Sequence, residues 1–138
     1  GEGYSHSYQD LVDTIKKDSN HEIVLAKSNR SMWKILSNCS LAIFAGGLTT
    51  FGAIFAGLPT INIFEKAIHQ SIISKEIIAK NVSINLGLLS QETLDTLKQK
   101  LQLFYHNRQE LLTMRQNTKG VLNKNGAQLT IQKILELA

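Results

Sequence analysis

Five consecutive residues, Gly46, Gly47, Leu48, Thr49 and Thr50, have the types and order to hold an anion. An apolar run of buried-strand length, Leu41 to Ala45, precedes them. An apolar segment follows and is ended by Gly57 and by Pro59, the chain's single proline. Strand, Gly-Gly turn, threonine pair and helix compose half of a βαβ unit. The helix N-terminus then points above the strand, and its N–H groups and positive dipole end favour negative charge. The glycines let a ligand approach the backbone closely. Thr49 or Thr50 caps the helix or donates a hydroxyl to a phosphate. The same residues also fit a plain βα turn with an N-cap and no ligand.

Other reactive residues are sparse. Cys39 is the one cysteine, so no internal disulfide and no cysteine-based metal site are expected. It sits beside the apolar run, which predicts a packed, inert thiol, and it lacks the neighbouring base that a nucleophile needs. His6, His21, His69 and His106 are scattered, with no pair at ligand spacing on one helix face, so no metal site is expected. His69 and Glu65 are close enough in sequence for an acid–base pair, Glu65 being the one carboxylate candidate near His69.

The 138 residues have the size of one ordinary domain, and 43% hydrophobic with 19% charged residues describe a globular chain. No apolar run reaches membrane-span length. The first residues show no secretory pattern, and a reducing, cytoplasmic compartment is expected. The net charge of +4 is spread along the chain without a basic arm or an aromatic-interleaved patch, so no nucleic-acid partner is expected. A mild positive bias suits an anionic nucleotide.

Hydrophobic spacing predicts the elements that position these residues. Tyr8 to Lys17 reads as a helix, and His21 to Ala26 as a short strand. Lys27 to Arg30 is a polar loop in which Ser28 or Asn29 caps a helix over Ser31 to Asn38. The strand Leu41 to Ala45 leads to a helix from Thr49 to Ala56. A strand over Thr60 to Phe64, a helix over His69 to Lys80 and a strand over Ser83 to Leu86, closed by Gly87, follow. From Ser90 onward no strand is expected. Helices cover Ser90 to Asn117 and, after a break at Asn123 to Gly126, Ala127 to Leu137.

Strands alternating with helices predict an α/β fold, a doubly wound parallel sheet over residues 1–89 with a helical tail over 90–138, in a single domain. Such sheets bind ligands at the carboxyl ends of their strands. Four loops are expected there: Lys27–Arg30, Gly46–Thr50, Glu65–Gln70 and Gly87–Ser90.

The run NCSLAIFAGGLTTFGAIFAGLPTINIF, followed by His69-Gln70 and by INLG, resembles the C-terminal half of two-domain nucleotide-sugar enzymes of the GT-B architecture. The likeness is closest to the UDP-sugar hydrolase of pseudaminic acid biosynthesis and related spore-coat polysaccharide proteins. It is more distant to the glycosyltransferase that forms lipid II. The tail VLNKNGAQLTIQKILEL is similar to the closing segment of the family, so the likeness covers nearly the whole chain. It implies a Rossmann-like fold, no cofactor, and UDP or a UDP-sugar as ligand. Gly46, Gly47, Leu48, Thr49 and Thr50 would hold the diphosphate. Gln70 would reach the sugar or its neighbouring phosphate. The loop from Lys27 to Met32, with Ser28 and Asn29, would lie against the base.

Two departures stand out. The family reads Gly-Gly-x-Thr-Thr-Phe/Trp-Glu, with the glutamate accepting from the ribose hydroxyls; Gly52 holds that position here. The family's catalytic histidine lies in an N-terminal domain, and its sheet has two further strands between those matching His21–Ala26 and Leu41–Ala45. The expectation is a sheet truncated at its N-terminus, in which these two strands pair directly or a second copy of the chain completes the sheet. Two functions fit these residues. One is the UDP-sugar-binding domain of a hydrolase or glycosyltransferase in cell-surface glycan biosynthesis, inactive alone. The other is a degenerate GT-B-like domain acting as an interaction or structural module, with the helical tail as a docking surface.

Overall fold

The computed structural model describes residues 7–26, 32–77, 80–122 and 125–137. The chain divides into two compact units, Gly1–Lys34 and Ile35–Ala138.

In the first unit, helix α1 spans Tyr8–Lys17, as the spacing of Leu11, Val12 and Ile15 predicts. The Ser7 hydroxyl accepts the Asp10 N–H at 3.3 Å and closes the N-terminus. Lys16 and Lys17 in the last turn complement the dipole, and no α1 residue is buried. Asp18 ends the helix. Its carboxylate accepts the N–H groups of Asn20 and His21 at 2.8 and 3.0 Å and meets His21 Nδ1 at 2.9 Å. The Asn20 N–H, then the His21 side chain, hold the Asp18 carboxyl below its ordinary value of 3.8. A depressed carboxyl strengthens the turn above the ordinary value, and that contribution is lost as pH falls through the folded value. An NMR titration of Asp18 is expected to give a midpoint below 3.8; a midpoint at or above it would show that the turn does not hold in solution.

Residues 22–26 form no strand. Val24 is 83% exposed and Ile23 is 44% exposed. The strand expected over His21–Ala26 is therefore corrected, and with it the four-stranded sheet. An apolar run becomes a strand only when its N–H and C=O groups pair with a neighbouring strand, and this run pairs with none among the described residues.

Helix α2 (Met32–Leu36) precedes the second unit's sheet and buries Leu36. The sheet has three parallel strands in the order β1 (Ala42–Phe44), β2 (Thr60–Phe64), β3 (Ser83–Leu88). The register pairs Ile43 with Ile61 and Ile61 with Ile84. The Ala42 N–H bonds to the Pro59 carbonyl at 3.1 Å, toward β2. Ile43 therefore turns its N–H and C=O to the outer edge, where β1 has no strand partner among the described residues.

Helices α3 (Leu48–Phe55) and α4 (Ala67–Ile77) connect the strands, and α5 (Gln91–His106), α6 (Gln109–Asn117) and α7 (Gly126–Leu135) follow. Side-chain alternation assigns the faces. On one face Ile54 of α3, Phe64, Ile77 of α4 and Val82 pack together. Beside them Leu36, Ala42, Ala53 and Leu58 form a second cluster, with Cys39 against it. The Cys39 thiol, partly buried, donates to the Ile35 carbonyl at 3.4 Å. On the opposite face Ile61 meets Phe104 of α5 and Met114 of α6. Phe64, Ile54 and Ile61 are fully buried, and each contributes roughly 1.5–3 kcal/mol by leaving water.

Local chemistry explains the helix ends. In α3, Thr50, Ala53 and Ile54 face inward at helical spacing. The Gly57 N–H bonds to the Ile54 carbonyl and the Leu58 N–H to the Ala53 carbonyl, with Gly57 at φ +82°. This is a Schellman closure, sealed by the apolar contact of Leu58 with Ala53. Helix α5 starts on a reciprocal cap: Ser90 Oγ accepts the Thr93 N–H, and Thr93 Oγ1 accepts the Ser90 N–H. Asn107 stops α5, so the continuous helix expected to Asn117 is two helices. Strand β3 runs past its expected end at Leu86. Asn62 pairs with Asn85 and Phe64 with Leu88, so β3 carries one extra residue, a bulge around Gly87.

Candidate functional site

The carboxyl ends of the three strands lie together because all three are parallel. Residues 45–47 leave β1, 65–66 leave β2 and 89–90 leave β3. The Leu89 N–H bonds to the Phe64 carbonyl at 2.8 Å, tying two of these exits together. The expected ligand loops of β1, β2 and β3 thus share one end of the sheet. The fourth, with Ser28 and Asn29, lies outside the described residues.

The two glycines of the β1 exit have different duties. Gly46 has φ +74°, in the left-handed region, and a Cβ there would overlap the Phe64 ring. A buried aromatic ring, not a ligand, occupies the space that the missing side chain leaves. Gly47 is extended, at φ 178°, and is the N-cap of α3 without a side-chain bond. A Cβ on Gly47 would meet nothing within 4 Å, so this is the open side of the turn.

Neither threonine caps the helix. The Thr50 N–H bonds to the Gly47 carbonyl at 3.0 Å, which leaves the N–H groups of Leu48 and Thr49 as the amides ahead of the first helical bond. Thr50 is fully buried, and its hydroxyl donates to Asn62 Oδ1 at 2.8 Å. Thr50 is thus taken up inside the fold, while Thr49, the other threonine expected to donate, is half-buried. The Leu48 side chain is 88% exposed.

Helix α4 starts at Ala67, two residues ahead of expectation, so Gln70 lies in its first turns with its N–H on the Lys66 carbonyl at 3.3 Å. Gln70 is half-buried, and Glu65, Lys66 and His69 are exposed. No ion pair joins Glu65 to His69 among the described residues. The Gly87–Ser90 loop uses its polar groups internally, in the bulge and the α5 cap. Apolar side chains crowd the same end: Ile68 is 63% exposed and Leu89 58%. Among the described residues no three His, Cys, Asp or Glu side chains gather as metal ligands would. A depression of about 810 Å³ lies at the far end of α3, beside Phe55, Gly57, Thr118 and Lys119. It is remote from the Gly-Gly turn along the helix axis.

Sequence reasoning missed a polar layer beneath α3. Thr60, Asn62 and Ser83 are buried where a parallel sheet ordinarily presents apolar residues. Asn62 Nδ2 donates to Ser83 Oγ at 2.8 Å and to Asn85 Oδ1 at 3.0 Å, and Thr60 Oγ1 donates to Ser83 Oγ at 2.9 Å. The signal was present. Thr60-Ile-Asn-Ile and Ser83-Ile-Asn-Leu alternate polar with apolar at the period of a strand with one polar face.

Fold and site define an α/β protein built on an open, three-stranded parallel sheet, consistent with a Rossmann-like arrangement. No family model, curated protein or solved structure matches the chain. No described helix is long and apolar enough to cross a membrane.

Proposed function

We propose that this chain is a nucleotide-sugar-binding domain that takes the diphosphate of UDP or a UDP-sugar at the β1–α3 turn. On this reading it belongs to a GT-B-type hydrolase or glycosyltransferase of cell-surface glycan synthesis and is inactive alone. The observation that carries the reading is the open N-terminus of α3. It begins at the carboxyl end of a parallel strand, behind an extended glycine with open space beside it and no side-chain cap. The N–H groups of Leu48 and Thr49 and the Thr49 hydroxyl are the donors on offer to a phosphate. Gln70 lies in the first turns of α4, after the neighbouring strand's exit, where the family resemblance expects a contact with the sugar.

Calorimetric titration with UDP tests this, comparing the wild type with Gly52→Glu. A carboxylate at residue 52 restores a charge-assisted acceptor for the ribose hydroxyls. That interaction is worth roughly 1.5 kcal/mol, or about tenfold in Kd. Weak binding by the wild type and tighter binding by Gly52→Glu is the expected result. No heat from either folded protein overturns the reading.

A second reading, an interaction module, rests on apolar surface. Helix α7 buries none of its residues, and Leu129, Ile131, Ile134 and Leu135 are between 48% and 72% exposed. Silence toward UDP together with a concentration-dependent rise in mass by light scattering favours this alternative.

A further inference from the structure

The buried polar layer has a cost that an apolar layer would not have. Each hydroxyl or amide taken out of water must find a partner. Here every one does: no buried side-chain nitrogen or oxygen among the described residues lacks a partner. The hydrogens also run in a consistent order. Thr50 donates to the Asn62 carbonyl oxygen. The Asn62 amide donates to Ser83 and Asn85. Ser83 accepts from Thr60 as well and has its own proton for Asn85, at 3.4 Å. Within this network, among the described residues, Asn62 is thus the side chain that joins α3, β2 and β3.

Apolar contacts are non-directional and tolerate sliding, whereas hydrogen bonds at 2.8 Å fix angle and distance. Thr50 is two residues beyond Leu48, the first residue of α3. Whatever holds the Thr50 hydroxyl sets where the first turn of that helix stands above the sheet. The Phe64 ring against Gly46 holds the preceding residue from the same strand. We propose that Asn62 is a positioning residue: acting through Thr50, it fixes the N-terminal turn of α3, and with it the direction in which the Gly47, Leu48 and Thr49 amides point.

Hydrogen exchange read by mass spectrometry tests the proposal on the whole chain, in the wild type and four variants. Thr50→Val keeps the shape and removes the donor. Its exchange over residues 48–54 is expected to rise about tenfold or more, while residues 91–117 stay as in the wild type. Thr50→Ser restores the hydroxyl and is expected to return residues 48–54 to within about threefold of the wild type. Thr60→Val breaks the far end of the network and leaves Thr50 bonded, so the same segment is expected to stay protected. Ser83→Ala frees Asn62 from β3 and is expected to loosen residues 48–54 to an intermediate degree. It decides the matter if Thr50→Val does not fold. Unchanged exchange over 48–54 in both Thr50→Val and Ser83→Ala, or an equal rise in every segment, overturns the proposal. UDP added to the same samples reads the consequence for binding, which alone rests on the function proposed above. Thr50→Val is expected to weaken UDP about tenfold, and Thr50→Ser to restore it. If the wild type binds no UDP, the nucleotide reading fails, and the exchange comparison still decides the role of Asn62.

Discussion

Gly46→Ala is expected to destabilise the fold by about 3 kcal/mol, while Gly47→Ala leaves it nearly unchanged. Two costs add at Gly46. Its φ of +74° is left-handed, which costs an alanine roughly 1–2 kcal/mol. Its new Cβ would also overlap the Phe64 ring, which is fully buried and held by Ile54, Ile77 and Val82. Overpacking a well-filled core costs about 1–3 kcal/mol. Against a total of roughly 5–15 kcal/mol, that is a large fraction. Neither cost applies at Gly47, which is extended with open space beside it. Urea denaturation of both variants measures the contrast. Adding Phe64→Leu to Gly46→Ala is expected to recover part of the loss, because the overlap is relieved while the backbone cost stays. A Gly46→Ala midpoint within error of the wild type would mean that the ring does not fill that space in solution.

Asn62→Ala is expected to be comparably damaging, at roughly 3–5 kcal/mol. The alanine leaves the Thr50 hydroxyl without its acceptor and withdraws a donor from Ser83 and from Asn85. Each buried polar group stranded in this way costs about 1–3 kcal/mol, and the lost volume adds a cavity. The pair Thr50→Val with Asn62→Val removes both partners of the bond together. Replacing both by apolar groups is far less costly than stranding one. The double variant is therefore expected to lose at least about 1 kcal/mol less than the two single losses summed, read as a double-mutant cycle from urea midpoints. Simple additivity would show that Thr50 and Asn62 do not interact.

The two predictions touch both kinds of residue in the candidate site, those legible in the sequence and those hidden in it. Glycine spacing marked Gly46 and Gly47 as a turn. It did not say what approaches the missing side chains, because that depends on Phe64, which reaches Gly46 only through the pairing of β1 with β2. Threonine at residues 49 and 50 marked a helix start. Which hydroxyl faces outward followed from the helix's rotation over the sheet, and the partner that holds that rotation, Asn62, lies twelve residues away.

What the sequence by itself determined is what local chemistry governs. The α1 helix follows from its apolar stripe and the Ser7 cap, α5 from the cap at Ser90, and β2 from a short run bounded by Pro59 and a polar turn. The Gly57 stop of α3 and the strand–turn–helix order around Gly46 and Gly47 were also legible, since backbone preference and side-chain period act within a few residues. Only the tertiary structure decided whether an apolar run becomes a strand. His21–Ala26 and Thr60–Phe64 are both short apolar runs, yet the second pairs on both sides and the first with no strand among the described residues. A ladder's hydrogen bonds belong to two segments at once, so no single segment can specify them. The polar layer was decided in the same way: alternation in β2 and β3 marked a polar face, and only the packing of α3 onto that face made it buried and paired.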